Sequence, residues 1–215
     1  MKITDITRTK RGRYAIHVDG EFLFSAEEEA LLRSGLKAGD EAGIEDLEAL
    51  RRSSEYIFGR EKAFRLLERK AYTRRMLVEK LRSLIDEDIA EAVAGRMCEL
   101  GLIDDGDYAA TYARDLFRVK GYSRQHIARA LKQRGIGEEE AEAALAQFDE
   151  GDAEERLLTL IRKKYARYLG DEKGRQRAVN ALLRMGYRYG EIRPAIEQVL
   201  EEDGIDGELA YEQSV

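Results

Sequence analysis

The chain has 215 residues, with 37 basic and 43 acidic side chains, two His, one Cys, no Trp and a single Pro. One Cys excludes an intrachain disulfide, and one Cys with two His cannot furnish an ordinary Cys/His zinc site. A composition 37% charged and 43% hydrophobic, with no long apolar run, supports a thin core of helix layers and offers neither a membrane span nor a signal-peptide core, so a cytoplasmic protein without metal or cofactor is expected.

The first 25 residues read as strands. Tyr14, Ile16 and Val18 alternate with Ala15 and His17, Asp19-Gly20 supplies a two-residue turn, and Phe22 and Phe24 resume the alternation. Asp-Gly between alternating runs predicts a hairpin, because Gly tolerates the positive φ of a type I′ turn. Ile3 to Thr7 adds a third strand, and His17 is expected on the face opposite Tyr14, Ile16 and Val18. Ser25 then predicts a helix N-cap, with Glu28 as its capping-box partner and Gly35 as the stop. A second helix is predicted from Ile44 toward Ser53, and the sequence leaves a break near Ser53 open.

Beyond that point the chain repeats itself. Residues 63–74 lie over residues 113–124 at an offset of 50, sharing Ala, Leu, Lys, Tyr and Arg, and Arg175-Gln176-Arg177-Ala178 begins a third copy. In the first copy a helix ends near Lys70, Thr73 caps the next, and Leu77, Leu81 and Leu84 are its predicted buried stripe. A third helix follows from Asp86 with Ile89, Val93, Met97 and Leu100 inward and Gly101 at its end. In the second copy Ser123 caps, Ile127 and Leu131 are buried, Gly135 stops the helix, and Ala141, Leu145 and Phe148 form the next stripe. In the third, Leu182 and Met185 precede Gly186, and Ile192, Ile196 and Val199 make the last stripe. The predicted architecture is mainly α: three tandem three-helix repeats in an elongated curved array behind a small N-terminal β-hairpin or three-stranded extension. The expected divisions are 1–52 for the extension, 53–103, 104–150 and 151–202 for the repeats, and 203–215 for an acidic tail.

The formal net charge of −6 conceals a sorting by helix. Residues 60–82, 114–134 and 156–188 carry nine, seven and ten basic groups against three, one and two acidic ones. The third helices are opposite, with 138–150 holding six acidic groups and no basic one. If the repeats stack in register, the cations align into a basic stripe that steers an anionic partner. Helix-dipole matching accounts for the acidic starts Asp86-Glu87-Asp88 and Glu138-Glu139-Glu140. It does not account for Arg74, Arg124 and Arg175, which the repeat alignment places at helix starts, where the dipole disfavours cations. Tyr72 and Tyr122, each two residues before one of these arginines, either stack bases of a single strand or pack between repeats with the hydroxyl at the surface. Residues 201–215, with six acidic groups and no basic one, read either as a solvated end or as an arm that competes for the basic body.

The run Tyr122-Ser123-Arg124 followed by Leu131 and Gly135-Ile136, the preceding Leu102-Ile103-Asp104-Asp105 with Tyr108-Ala109, and the closing Leu182-Leu183-Arg184-Met185-Gly186-Tyr187 with Ile192 resemble the RecX regulatory proteins of bacteria. The similarity covers about residues 55–200, and the first repeat departs from it, with Ser83-Leu84-Ile85 where the others have Gly135-Ile136 and Gly186-Tyr187. The resemblance implies a non-enzymatic regulator of DNA repair, recombination and the SOS response. It would bind RecA and RecA–single-stranded DNA filaments in the filament groove and modulate, by expectation inhibit, ATP hydrolysis, strand exchange and LexA cleavage. A monomer with no membrane partner is expected, and a helical-repeat DNA-binding protein acting without RecA is the alternative. Asp104 and Asp105 read as helix-capping groups, not metal ligands.

No Walker-type loop, Gly-x-Ser-x-Gly elbow or His/Cys metal spacing is present in the sequence, and Cys98 beside Met97 reads as a packed thiol. The candidate partner-binding residues are therefore cations of the repeats. They are Arg69, Lys70, Arg74 and Arg75 in the first, Arg118, Lys120, Arg124 and Arg129 in the second, and Lys163, Lys164, Arg175 and Arg177 in the third. Reversing Arg74, Arg124 and Arg175 to Glu is expected to abolish inhibition of RecA ATPase while leaving the helical content unchanged.

Overall fold

A computed structural model of the protein describes residues 1–202; the acidic tail expected at 203–215 lies outside the described residues. The chain divides into two compact units, with the division between Asp104 and Asp105.

In the first unit, β1 (Ile3–Arg8), β2 (Tyr14–Val18) and β3 (Glu21–Ala26) form an antiparallel sheet in chain order. Asp19 and Gly20 take φ of 50° and 90°, the pair of positive values a type I′ turn requires. Ile3, Ile16, Val18 and Ala26 are buried with Leu47, Leu50 and Ile57. The pairing slips between Ile16 and His17, which brings His17 opposite Phe22, their rings edge to face at 5.8 Å. Ser25 is not a helix cap. It stays in β3, paired with Ala15, while its carbonyl accepts from the Arg13 guanidinium; α1 (Glu28–Ser34) starts after Glu27. Strand pairing and a distant arginine together outweigh the local capping preference.

Helix α2 (Ile44–Leu67) runs without a break, so residues 52 and 53, the expected start of the first repeat, sit mid-helix. Ser54 is buried there and its hydroxyl oxygen accepts the Glu27 N–H at 2.8 Å. Thr73 caps α3 (Arg74–Leu81) as the sequence predicts, accepting the Met76 N–H at 3.1 Å. Two predicted stripe residues are instead exposed: Leu84 at 48% and Leu100 at 45%. Helix α3 ends at Leu81, and a tight turn, in which the N–H groups of Leu84 and Ile85 both bond the Leu81 carbonyl, delivers Ile85 rather than Leu84 to the core. Helix α4 (Glu87–Glu99) ends one residue before Leu100, and Ile103 fills the position beyond. Gly101, at φ 69°, closes that helix: its N–H bonds the Cys98 carbonyl at 2.8 Å and the Leu102 N–H bonds Met97 at 3.0 Å. Cys98 is half-buried against this core.

In the second unit, α5 (Asp105–Arg114) passes into a six-residue π-helical turn, Asp115–Lys120, that ends at Gly121 with φ 74°. It is followed by α6 (Arg124–Gln133), α7 (Glu138–Ala146), α8 (Glu150–Lys164), a 3₁₀ turn Ala166–Tyr168, α9 (Glu172–Arg184) and α10 (Tyr189–Glu202). Gly135 and Gly186, at φ 79° and 89°, close α6 and α9 with the bonding pattern of Gly101. One core gathers Ile127, Leu131 and Phe117, the last stacked on Phe148 at 4.2 Å; another gathers Ile161, Leu169, Leu182, Ile192, Ile196 and Val199. No described helix is long and apolar enough to cross a membrane.

The two repeats of this unit are joined by bonds to backbone. The Ser123 N–H donates to the Met185 carbonyl at 3.0 Å, and the buried Tyr187 hydroxyl donates to the Gly121 carbonyl at 3.0 Å. Arg156 of α8 donates to the Phe117 and Arg118 carbonyls at 3.1 and 2.5 Å, satisfying the end of the π-helical turn. Burial pushes the Tyr187 hydroxyl up to about 12. Its contribution to stability is therefore fully present below the ordinary tyrosine value near 10 and is lost as pH rises toward about 12. The variant Tyr187→Phe leaves the Gly121 carbonyl buried and unpaired and is expected to lower stability by about 1–3 kcal/mol. Urea unfolding at pH 7.5 measures that loss, and the alkaline limb of stability between pH 10 and 12 should flatten in the variant.

Candidate partner-binding surfaces

Whether a surface cation can meet an external anion depends on what already holds it. Arg74, the first residue of α3, donates to Glu91 of α4 at 2.7 Å, with both side chains about half exposed. An exposed pair of this kind contributes roughly 0–1 kcal/mol, so a partner's anion can replace it. Arg124, the first residue of α6, is half-buried and donates to the Phe148 carbonyl, tying α6 to the end of α7. Arg175 differs from the sequence expectation. Asp171 caps α9 by accepting the Gly174 N–H at 2.7 Å, so α9 starts three residues before Arg175. The Arg175 side chain is only 11% exposed and donates to Glu172 at 2.9 Å and to the Leu169 carbonyl at 3.1 Å.

These contacts change what charge reversal would do. At Arg124 and Arg175 a carboxylate would face a carbonyl it cannot bond, so local packing would change along with the charge. The expectation of unchanged helical content is retained for Arg74 alone.

The other candidates are exposed. Arg69 and Lys70 follow the end of α2, and the Lys70 ammonium lies 4.5 Å from the Tyr72 ring centre. Arg75 pairs with Glu79 at 3.2 Å along its own helix. Arg118 and Lys120 belong to the π-helical turn, and among the described residues Arg129 reaches only the Gln125 carbonyl, at 3.4 Å. Lys163 and Lys164 end α8, and Arg177 lies in α9. Arg114, Arg118, Lys120, Arg129 and Lys132 are all exposed in the second repeat, and none pairs with a carboxylate among the described residues. The same holds for Lys163, Lys164 and Arg177 in the third.

The tyrosines divide. Tyr72 and Tyr122 are half-buried against the cores of their own repeats rather than between repeats, and Tyr122 stacks on His126 with ring centres 4.1 Å apart and planes 5° apart. Burial, and secondarily the Arg129 charge, hold His126 below the ordinary histidine range, so it is neutral near pH 7. Tyr168 is 44% exposed and lies under the Arg167 guanidinium at 4.5 Å, an aromatic–cation pair open to solvent.

A cleft of about 820 Å³ lies between the end of α7, the start of α8 and α10, lined by the apolar Phe148, Leu157 and Ala195, the carboxylates of Asp149, Glu154 and Glu191, and Arg124. Among the described residues no group of three or more His, Cys, Asp or Glu is placed to hold a metal ion.

Sequence comparison matches residues 1–42 to the regulatory protein RecX N-terminal domain, 104–145 to the RecX second three-helix domain and 152–196 to the RecX third three-helix domain. The regulatory protein RecX of Streptomyces coelicolor is 35% identical over 147 residues, covering 67% of this chain and 78% of that one. The regulatory protein RecX of Clostridium botulinum (strain Eklund 17B) is 27% identical over 206 residues, 93% of this chain and 96% of its own length. A crystal structure of a regulatory protein RecX superposes with a TM-score of 0.64 at 26% identity, over 92% of this chain and 98% of that one. RecX from Lactobacillus salivarius gives 0.58 at 28% identity, over 67% of this chain and 96% of that one. With the sheet, the successive three-helix domains and the matched segments in agreement, the chain belongs to the RecX family of regulatory proteins.

Proposed function

We propose that this protein binds RecA and RecA–single-stranded DNA filaments and, acting by binding rather than catalysis, inhibits the ATPase, recombinase and coprotease activities of RecA in the cytoplasm. The observation that carries the reading is the set of exposed cations in the second repeat that face no carboxylate among the described residues, in a chain of the RecX family. Charges left uncompensated within a fold raise the local potential and are available to a polyanionic partner. The proposed contact residues are Arg69, Lys70, Arg74 and Arg75 in the first unit and Arg118, Lys120, Arg129, Lys163, Lys164 and Arg177 in the second. Arg124 and Arg175 support them by holding α6 and α9 to their neighbours.

The alternative, a DNA-binding protein independent of RecA, makes a different prediction. With a labelled oligo-dT strand, fluorescence anisotropy should show weak, salt-sensitive binding of this protein to the naked strand and tighter binding once RecA has coated it. Equal affinity with and without RecA would favour the alternative.

A further inference from the structure

The end of the described chain is held against a basic helix. Glu202, the last residue of α10, accepts from the Arg162 guanidinium of α8 at 2.8 and 3.0 Å, while the Gln198 amide donates to one of the same oxygens at 3.2 Å. Those bonds, Arg162 foremost, hold the Glu202 carboxyl below the usual range. Immediately after Arg162 come Lys163 and Lys164, exposed at the end of α8 and facing no carboxylate among the described residues. Arg167, also exposed, follows in the 3₁₀ turn. The sequence beyond Glu202 supplies the complementary charge, with Asp203, Asp206, Glu208 and Glu212 and no Lys or Arg through residue 215.

We propose that residues 203–215 bind the cationic end of α8, at Lys163, Lys164 and Arg167, and there compete with polyanions. The regulatory meaning of that competition rests on the RecA reading above; the contact itself does not. Reach is sufficient, because 13 residues span at most about 45 Å at ~3.3–3.6 Å each, against ~22 Å for the 15 residues of α8. Tethering supplies the affinity that exposed ion pairs lack, since a short linker holds its segment at an effective concentration on the order of millimolar. The cleft beside α10 is the poorer seat, because the carboxylates of Asp149, Glu154 and Glu191 outnumber its one cation, Arg124, and would repel an acidic segment.

The test uses a labelled peptide of residues 203–215, a chain ending at Glu202, and heparin as the probe polyanion. Saturable peptide binding at 50 mM salt, lost at 300 mM salt, is expected. It should also be lost when Lys163, Lys164 and Arg167 are changed to Glu, or when the peptide carries Asn and Gln in place of Asp and Glu. In the full chain, Asp203→Asn, Asp206→Asn, Glu208→Gln and Glu212→Gln together should tighten heparin binding about three- to tenfold, the relief expected on removing a competitor at ~1 mM effective concentration that binds with a dissociation constant of about 0.1–0.5 mM. No saturable peptide binding, equal binding to the α8 variant, or unchanged heparin affinity would each overturn the proposal. None of these readouts uses RecA, so the proposed function fails or stands separately.

Discussion

Reversing Lys163, Lys164 and Arg177 to Glu, or separately Arg118, Lys120 and Arg129, is expected to weaken inhibition of RecA ATPase by at least about tenfold while leaving the far-ultraviolet spectrum unchanged. Each set converts three positive charges into three negative ones on exposed side chains. A substitution of that kind removes attraction and adds repulsion toward a phosphate or carboxylate surface, and like-charge contacts against a partner cost several kcal/mol. Structural cost should be small, because these cations face no carboxylate among the described residues and only Arg129 touches a carbonyl, at 3.4 Å. Arg124→Glu and Arg175→Glu should behave differently, lowering thermal stability because each removes an internal bond to a carbonyl. A loss of inhibition in those two variants without a loss of stability would show that their guanidinium groups meet the partner directly.

The second large effect concerns glycine. Gly101 and Gly186 close helices with the same bonding pattern, at φ of 69° and 89°. A Cβ on Gly101 would meet nothing within 4 Å, so Gly101→Ala should cost only the left-handed strain of about 1–2 kcal/mol. A Cβ on Gly186 would lie 2.6 Å from the Ser123 hydroxyl oxygen and 2.7 Å from the His126 Cβ. Gly186 is thus the point where the third repeat presses on the first turn of α6, and Gly186→Ala adds an overpacking cost of roughly 1–3 kcal/mol to the same strain. Thermal unfolding of the two variants should rank them in that order, with Gly186→Ala also lifting His126 off Tyr122. Equal shifts for both glycines would remove the steric account of the junction.

What the sequence made legible was local. Thr73 and Ser123 announce their helices because a capping bond spans three residues, and Gly101, Gly135 and Gly186 mark helix ends through a single backbone angle. What stayed hidden depended on distant partners. Ser25 has the composition of a cap, yet strand pairing and the Arg13 guanidinium claim it. Leu84 and Ile85 are both apolar, and only the turn after Leu81 decides which is buried. Arg74 and Arg124 are engaged by groups 17 and 24 residues away, beyond any periodic signal. Arg175 was partly readable: Glu172 three residues earlier is the helical spacing of an ion pair, and Asp171 with Gly174 signals an earlier helix start. Arg156 and Tyr187 bond carbonyls 39 and 66 residues distant, and the π-helical turn that Arg156 completes carries no sequence mark of its own.

Engagement of a RecA–DNA filament is proposed for the cations of the second and third repeats that face no carboxylate among the described residues. It is tested most directly by titrating this protein into RecA ATPase on single-stranded DNA at two salt concentrations. Dose-dependent inhibition at 50 mM salt should weaken by roughly tenfold or more at 200 mM, as contacts to phosphate release counterions. Inhibition of equal strength at both salts, or ATP hydrolysis that stays constant at every concentration of the protein, would contradict it.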